Sequence, residues 1–498
     1  MTPSPTIGER ESEVHHSSGA PWGPIAVIVV AGVALRALML GAALPVDLQS
    51  DESNYVYAAV VLERLGFFVD HQRYLWPPAH PWLVAKAIGA FGSDGLDAIR
   101  WLHVALSSVI GATTMLFAWR LFSRRAAVVA GILWAVHLPM AAYTHFLWSE
   151  PLLLALLLTA LWNLLRALDA IEGSIEASIP ARLIASGALF GAALYVKELP
   201  LYLVPLAGLI VFVRSWGAGP GLALNRALLV PLTAFVVVLP WTLRNVEVYD
   251  RVVLGGSTLG ENAYVGVNAE YMNFDFVPLR KKRVAMGLEP IEAVSRPSFT
   301  SPPPAEEGSR TRGWPRRDDV VHVIDRQSAQ LREALAYAAS HPSWTLRTRI
   351  KKLSDFFTPL SFLLRSYALG NYAEESAMNG PPRGPIVVWS LALPIALLLL
   401  AAGGFFLTLP GGAGRDVVAL TITYVAATSL LVAMSRFRVP IEPLIIALAA
   451  GFLAHGPATR SVPRIVGCAA TVVALVGLWW VSLPETIELA RMALGGAG

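Results

Sequence analysis

The sequence predicts an all-α polytopic membrane protein, on two observations. The 498-residue chain is 55% hydrophobic and only 15% charged, whereas a soluble globular chain carries about 25% charged residues. Its apolar residues are gathered in runs of about 18–22, long enough for a helix to cross a hydrocarbon core about 30 Å thick. These runs predict about eleven transmembrane helices, at residues 23–44, 101–121, 126–145, 147–168, 182–197, 199–215, 226–243, 385–409, 416–434, 438–456 and 464–483.

The basic residues between the predicted helices indicate how the chain is oriented. Arginines concentrate on alternate loops, and the positive-inside rule assigns those loops to the cytoplasm. They are Arg120, Arg124, Arg125, Arg166, Arg182, Arg214, Arg226, Arg415, Arg460 and Arg464. The N-terminal tail is then inside, the two long hydrophilic segments are outside, and a count of eleven puts the C-terminus outside. We expect a multi-pass protein of the cell (inner or plasma) membrane.

This topology divides the chain into four parts. Residues 1–22 are a cytoplasmic tail, 23–243 an N-terminal transmembrane module with a long outer loop at 45–100, 244–384 an extracytoplasmic segment between the seventh and eighth spans, and 385–498 the C-terminal transmembrane helices. The tail lacks the basic start, apolar middle and small-residue cleavage site of a signal peptide. We therefore expect the first span to be retained.

Both outer parts contain stretches with helical spacing. In the first outer loop, residues 54–65 and 80–91 predict two short interfacial helices, separated by the break at Pro77–Pro78. In the second, residues 246–272 predict a turn-rich ordered loop and residues 296–317 a flexible one. Residues 318–356 look helical and could lie on the membrane or cover a cavity. Their apolar face would be Val321, Ile324, Leu331, Leu335 and Ala338.

The cysteine content and the placement of the charges exclude cysteine-based sites and a nucleic-acid partner. The single cysteine, Cys468, lies in an apolar run, so there is no intramolecular disulfide and no cysteine-based metal centre. The net charge of +4 does not indicate a nucleic-acid partner, because the arginines stand in short loops where membrane topology requires them.

The acidic pair Asp51–Glu52, after the first span, is the most informative polar feature. It has a structural interpretation, a solvated helix start with Ser50 or Asp51 as N-cap and Glu52 in the first turn. It also has a functional one, in which one carboxylate is a general base that reaches an acceptor hydroxyl. The spacing alone leaves both open.

Further polar residues fall at the outer ends of the predicted spans. Arg73 and His80 could bind an anion, or belong to an interfacial loop with Trp76 and Trp82. The Ser149–Glu150 pair opens the fourth span and could cap it or face the bundle. Lys197–Glu198 stands between the fifth and sixth spans, as an ion pair, a polar hairpin tip or a phosphate neighbour.

Three arginines depart from the positive-inside trend on the outer side: Arg244, beside Asn245, and Arg436 and Arg438. Arginine suits multidentate phosphate recognition, although snorkelling to lipid headgroups would also explain each one. Arg36, inside the first span, has no clear role in the sequence.

The order of these features resembles the polyprenyl-phosphate-dependent glycosyltransferases of the membrane C-type fold, the bacterial relatives of protein O-mannosyltransferases and of lipid A aminoarabinose transferases. The resemblance runs from the first span to about residue 450. It rests on Asp51-Glu52-x-x-Tyr55, Pro77-Pro78-x-His80-Pro81, Arg100, Ser149–Glu150, Lys197, Pro240-Trp241-x-x-Arg244-Asn245 and Arg436-x-Arg438-x-Pro440-x-x-Pro443.

The resemblance implies inverting transfer of a sugar from a polyprenyl-phosphate donor to an acceptor glycan, lipid or protein on the outer face. Asp51 would be the base, with Glu52 as a helper. The leaving phosphate needs charge neutralisation more than protonation. Substrate contacts would come from Tyr55, Arg73, His80, Glu150, Lys197, Arg244, Asn245, Arg436 and Arg438.

Two questions stay open in the sequence. No cofactor is required, although the carboxylates could hold a divalent cation. The alternative function is a transporter or flippase of lipid-linked sugars. Transporters usually place polar residues near the bilayer midplane on broken helices, whereas here they stand at the ends of mostly uninterrupted spans.

Overall fold

The computed structural model describes residues 19–43, 48, 51–65, 76–256, 258–267, 317–368, 372, 376, 383–431 and 434–494. The first half contains α1 (Trp22–Ala42), α2 (Asp51–Leu65), α3 (Ala79–Phe91), α4 (Gly95–Leu121), α5 (Arg124–Ala135), α6 (Leu138–Ala141), α7 (Glu150–Glu172), α8 (Ile179–Leu194), α9 (Leu203–Ser215) and α10 (Pro220–Tyr249). The second half contains α11 (Leu259–Val267), α12 (Arg317–Ser340), α13 (Pro342–Phe357), α14 (Phe362–Ala368), α15 (Arg383–Gly403), α16 (Ala413–Thr428), α17 (Glu442–His455) and α18 (Val462–Ala493).

The described helices confirm an all-α membrane protein with many spans. Nine helical stretches of the described chain are long and apolar enough to cross a membrane, or ten if a bent pair counts as one span. The prediction of eleven differs at residues 416–434. There α16 has 16 residues and ends at Thr428, so it falls short of the about 20 residues that a full crossing needs.

The bent pair corrects the prediction of one straight span at 126–145. The chain bends by 64° between Arg124–Ala135 and Leu138–Thr144. His137 accepts a hydrogen bond from the Met140 N–H at 3.1 Å and so caps the second helix. Arg36 caps the C-terminal end of the first of these two helices, Arg124–Ala135. It donates to the Trp134 carbonyl at 3.0 Å and lies 3.9 Å from the centroid of the Trp134 ring. A cation suits these free carbonyls at a helix C-terminus.

Both short helices predicted in the first outer loop are present, as α2 and α3. The turn-rich prediction for 246–272 is wrong in part, because α10 runs on to Tyr249 and Leu259–Val267 is helical. The predicted flexible stretch 296–317 lies outside the described residues, apart from Arg317.

The prediction for 318–356 is right about helix and about Ile324, Leu331 and Ala338 on the packed face, and wrong about continuity and about Leu335. The chain forms α12 and α13, with a break at His341 before Pro342. Ala334 is 3% exposed and packs with Leu331 and Ala338, whereas Leu335 is 62% exposed. Ala334 rather than Leu335 is buried because α12 packs on α11 around Ala263 and Val267.

The arginines that predicted the cytoplasmic loops meet acidic partners at one end of the helices. Arg120 pairs with Asp169 at 2.5 Å and Arg214 with Glu172 at 3.0 Å. Arg226 pairs with Glu176. Glu150, at the N-terminus of α7, lies at the opposite end of that helix.

Two central spans carry the residues of interest. In the most apolar 18 residues of each span, the share of residues that are buried is 78% for Ser435–His455, which includes α17, and 67% for α7. The same share is 11% for α18. The exposed apolar surface of α18 suits lipid, and the buried spans form the core. Glu150 begins α7, and Arg436 lies in the 3₁₀ turn Ser435–Ile441 that leads into α17.

Candidate active site

Four charged side chains from distant parts of the sequence meet at one end of the core, and we call them the charge cluster: Asp51, Glu150, Lys197 and Arg436. Arg436 Nη1 lies 2.7 Å from Asp51 Oδ2, and its Nε donates to Glu150 Oε1. Lys197 Nζ donates to the same Glu150 oxygen at 2.6 Å. One guanidinium therefore bridges two carboxylates, and one carboxylate oxygen holds two cations.

Each member stands at the end of an element. Asp51 and Glu150 occupy the first turns of α2 and α7, where a carboxylate complements the partial positive charge of a helix N-terminus. Lys197 lies in the short turn after α8, before the 3₁₀ turn Leu199–Leu201. Arg436 precedes α17. Glu150, Lys197 and Arg436 come together because α7 packs against α8 and against the 3₁₀ turn Ser435–Ile441, and Asp51 joins them from the first outer loop through its ion pair with Arg436.

The cluster has a buried layer and an accessible layer. The side chains of Glu150 and Arg436 are 3% and 6% exposed, whereas those of Lys197 and Asp51 are 24% and 28% exposed. Burial lowers the pKa of the Lys197 ammonium, although Glu150 favours its charged form. A substrate arriving from solvent would therefore meet Asp51 and Lys197 first.

The charges of the cluster balance, since two carboxylates face two cations. Glu150 Oε2 is buried and has no hydrogen-bond partner within the described chain. Such an atom is costly to bury. A hydrogen-bond donor of a bound substrate would satisfy this oxygen.

The residues just before Glu150 are held by the first outer loop. The Tyr55 hydroxyl lies 3.2 Å from Ser149 Oγ, and its ring packs against Trp76 and His80 at centroid distances of 4.5 and 4.8 Å. His80 Nε2 donates to the Leu147 carbonyl at 2.9 Å. Tyr55 and His80, which the sequence predicted to contact substrate, therefore hold the segment 147–149 that precedes Glu150.

Glu52 is separated from its neighbour Asp51. It is 2% exposed and accepts a hydrogen bond from the Leu147 N–H. The acid pair thus sends one carboxylate into the charge cluster and the other to the backbone before Glu150. Arg73, the remaining residue predicted in this loop, lies outside the described residues.

Arg244 and Asn245 belong to other contacts. The Arg244 guanidinium lies 4.8 Å from the ring centroid of Trp241 and 4.9 Å from that of Tyr249. It donates to the Tyr249 hydroxyl and to Asn245 Oδ1, each at 3.1 Å. Asn245 is fully buried and donates to the Val253 carbonyl at 3.2 Å. This pair orders the chain just beyond α10.

Arg438 points away from Arg436. It is 3% exposed and donates to Glu442 at 2.6 Å, and to the carbonyls of Phe356 and Thr358 at 2.8 Å each. The structure therefore brings only one of the two predicted arginines to the acid pair. The other ties the 3₁₀ turn to the end of α13.

The sequence did not single out Trp148, whose ring centroid lies 4.4 Å from the Arg436 guanidinium carbon. Cation–π contact of this kind orients a guanidinium. The position of Trp148 beside Ser149–Glu150 could have indicated a role in the site. A tryptophan at the end of a span is, however, also an ordinary interface anchor.

No group of three or more His, Cys, Asp or Glu side chains that could hold a metal ion occurs within the described chain. The arrangement offers one accessible carboxylate that can accept a proton, and two cations that can face a phosphate. It therefore suits deprotonation of a hydroxyl beside an anionic leaving group.

A protein-family model matches this part of the chain. Residues 76–243 match the family described as dolichyl-phosphate-mannose-protein mannosyltransferase. The matched stretch contains His80, Glu150 and Lys197, and it leaves out Asp51 and Arg436. Over these residues the match confirms the resemblance drawn from the motifs to glycosyltransferases that use a polyprenyl-phosphate sugar. No curated protein matches the chain.

Several solved structures are similar to the chain. An oligosaccharyltransferase of Archaeoglobus fulgidus tethered to an acceptor peptide has 13% identity and a TM-score of 0.49, over 96% of this chain and 55% of its own. AglB from the same organism, with an inhibitory peptide and a dolichol-phosphate, has 13% identity and a TM-score of 0.43, over 97% and 56%. ArnT from Cupriavidus metallidurans bound to undecaprenyl phosphate has 17% identity and a TM-score of 0.35, over 88% and 78%.

This chain therefore spans just over half the length of the two archaeal proteins. At these identities and TM-scores, the similarities carry no argument about its chemistry.

Proposed function

We propose that the chain transfers a glycosyl group from a polyprenyl-phosphate-linked donor to an acceptor hydroxyl, with inversion, on the extracytoplasmic face of the membrane. The acceptor is a glycan, a lipid or a protein. The observation that carries the proposal is the charge cluster, in which an accessible carboxylate, Asp51, pairs with the guanidinium of Arg436, and Arg436 in turn shares the Glu150 carboxylate with the ammonium of Lys197.

The reaction follows from this arrangement. Asp51 accepts the proton of the acceptor hydroxyl as its oxygen bonds to the anomeric carbon. The bond from that carbon to the phosphate oxygen breaks on the opposite face, and the electron pair leaves with the polyprenyl phosphate. Attack and departure on opposite faces invert the anomeric centre.

The charges of the cluster change in step with those of the donor. Before transfer its two carboxylates balance its two cations. When Asp51 takes the proton, the cluster carries one net positive charge, while the phosphate diester becomes a monoester with one additional negative charge. Lys197 and Arg436 can then neutralise the leaving group where its charge develops, which is the most effective place for a preorganised cation.

Release of lipid phosphate tests the proposal. The purified chain is incubated with a panel of polyprenyl-phosphate sugars and candidate acceptors. We expect release of the polyprenyl phosphate to depend on an acceptor, and the new glycosidic bond to have the anomeric configuration opposite to that of the donor. Retention would contradict a single displacement by the acceptor, and no release from any donor would contradict the function.

Transport of lipid-linked sugars is the second candidate, and one observation favours it: the span at Arg124–Thr144 is broken, as transporter helices often are. However, Arg36 and His137 cap the two ends of this break, so a backbone group on each side of it is already paired within the protein. Movement of a lipid-linked sugar across proteoliposomes without glycosyl transfer would support the transporter instead.

A further inference from the structure

We propose that the guanidinium of Arg436 takes the place of a divalent cation between Asp51 and Glu150, so that transfer needs no metal. This inference rests on the proposed function and concerns its cofactor. Magnesium in phosphate chemistry is typically held by one or two carboxylates together with the substrate phosphate. Asp51 and Glu150 are two such carboxylates, and a cation already lies between them.

The contacts of Arg436 leave little space for a metal at this position. Its Nη1 lies 2.7 Å from Asp51 Oδ2, and its Nε donates to Glu150 Oε1. The ring of Trp148 lies against the guanidinium at 4.4 Å, and the side chain is 6% exposed. A metal ligated by both carboxylates would have to displace a buried group held on three sides.

The charge balance argues in the same direction. The cluster is neutral as it stands, because Lys197 and Arg436 offset Asp51 and Glu150. A divalent cation added to it would leave two uncompensated positive charges beside two almost fully buried side chains, or one once the donor phosphodiester is bound, and burial of unpaired charge is strongly unfavourable. Arg436 thus supplies the positive charge that a metal would otherwise place between the two carboxylates, and it remains charged throughout the reaction.

This assignment makes an unusual prediction about a variant. Shortening Arg436 removes the resident cation and leaves two carboxylates facing the vacated space, with Glu150 Oε2 already lacking a partner within the described chain. Arg436→Ala should therefore create a divalent-cation site. Arg436→Ala/Glu150→Gln is the matched control, since it removes one of the two ligands.

Manganese binding tests the inference without reference to activity. Mn²⁺ is titrated into the purified full chain, and the free ion is followed by electron paramagnetic resonance. We expect no stoichiometric binding to the wild type, one bound ion in Arg436→Ala, and at least about tenfold weaker binding in the double variant. Stoichiometric binding to the wild type that Glu150→Gln abolishes, or no binding to a folded Arg436→Ala chain, would overturn the inference.

Chelation provides the second measurement. We expect EDTA to change the wild-type rate of lipid-phosphate release by less than about twofold, and Arg436→Ala to lower that rate at least about 100-fold. Mn²⁺ should then raise the rate of the variant at least about tenfold. Loss of wild-type activity in EDTA, restored by Mn²⁺, would overturn the metal-independent assignment.

The two proposals fail in different ways. If no donor is turned over, the proposed function fails, while the manganese titration still decides whether Arg436 occupies a cation site. If Arg436→Ala does not fold, Arg436→Gln takes its place in the titration, and the wild-type measurements apply unchanged.

Discussion

At the scale of single residues, neighbours in the sequence have different tasks. Asp51 is 28% exposed and pairs with Arg436, whereas Glu52 is buried and accepts a hydrogen bond from the backbone N–H of Leu147. Arg436 reaches the acid pair, whereas Arg438 turns to Glu442. Side chains one or two positions apart on a helical turn point in different directions, so adjacent charges rarely share a site.

The assignment of Asp51 as base predicts the effect of Asp51→Asn. The amide keeps the size of the side chain but cannot take up the acceptor proton, so we expect the turnover rate to fall by about 10²–10⁴-fold. The variant should remain folded, because Arg436 keeps its contact with Glu150, with a lower melting temperature from the loss of one ionised partner. Asp94→Asn, at an exposed position in the same outer loop, is the matched control and should keep full activity. Wild-type turnover in Asp51→Asn would remove the base from this residue.

The contacts of Arg438 predict a loss of stability rather than a direct loss of phosphate binding. Arg438→Met leaves the buried Glu442 carboxylate without its guanidinium partner and with only His137 Nε2 nearby, at 3.9 Å, which should cost about 3–5 kcal/mol. Arg438→Met/Glu442→Met replaces the pair by apolar groups and should recover the part of that stability due to the uncompensated carboxylate, although the Phe356 and Thr358 carbonyls still lose their donor. Thermal unfolding of the purified variants measures both. A double variant no more stable than the single one would contradict the account.

At the scale of elements, Glu198 connects the turn that carries Lys197 to the second outer segment. Its Oε2 accepts a hydrogen bond from the Thr258 N–H at 3.1 Å, at the start of α11. Tyr424 donates to the carbonyl of the adjacent Leu199, at 2.5 Å. The position of α11 is therefore coupled to the turn beside the charge cluster.

The stability of this connection should depend on pH. Burial raises the pKa of Glu198 from 4.5 to about 7, so the folded state binds its proton more tightly than the unfolded state does. The stabilisation is complete below about pH 4.5 and is lost as the pH rises to about 7. Glu198→Gln imitates the protonated form. We expect the melting temperature of the wild type, relative to that of this variant, to fall across the interval, and a constant difference would contradict the coupling.

At the scale of the whole molecule, charges occupy both ends of the helices in different ways. One end holds Arg120, Arg214 and Arg226 with their acidic partners. The other end holds the charge cluster, at the start of α7. Because positive loops stay in the cytoplasm, we expect the charge cluster to face the extracytoplasmic side.

Cysteine labelling measures this orientation. With Cys468 replaced by serine, Ser93→Cys and Ser174→Cys form a matched pair, since both positions are exposed and they lie at opposite ends of the helices. A membrane-impermeant maleimide should label position 93 in intact cells and position 174 only after permeabilisation. The reverse pattern would put the charge cluster in the cytoplasm.

The sequence could predict much of the fold because membrane insertion depends on local properties. Apolar runs long enough for the bilayer define α1, α7, α10, α15 and α18 without reference to packing. The break before Leu138 was missed, because its stability comes from Arg36, about a hundred residues earlier in the chain. The exposed position of Leu335 was missed for a similar reason, since α11 selects which face of α12 is buried.

By itself, the sequence determined that the chain is a polytopic helical membrane protein, and it identified Asp51, Glu150, Lys197 and Arg436 among its candidates. Only the tertiary structure decided that these four meet, and that Glu52 and Arg438 are engaged elsewhere. The physical reason is the distance along the chain over which each effect acts. Hydropathy acts within each segment, whereas an ion pair between Asp51 and Arg436 exists only once the helices that carry them have packed.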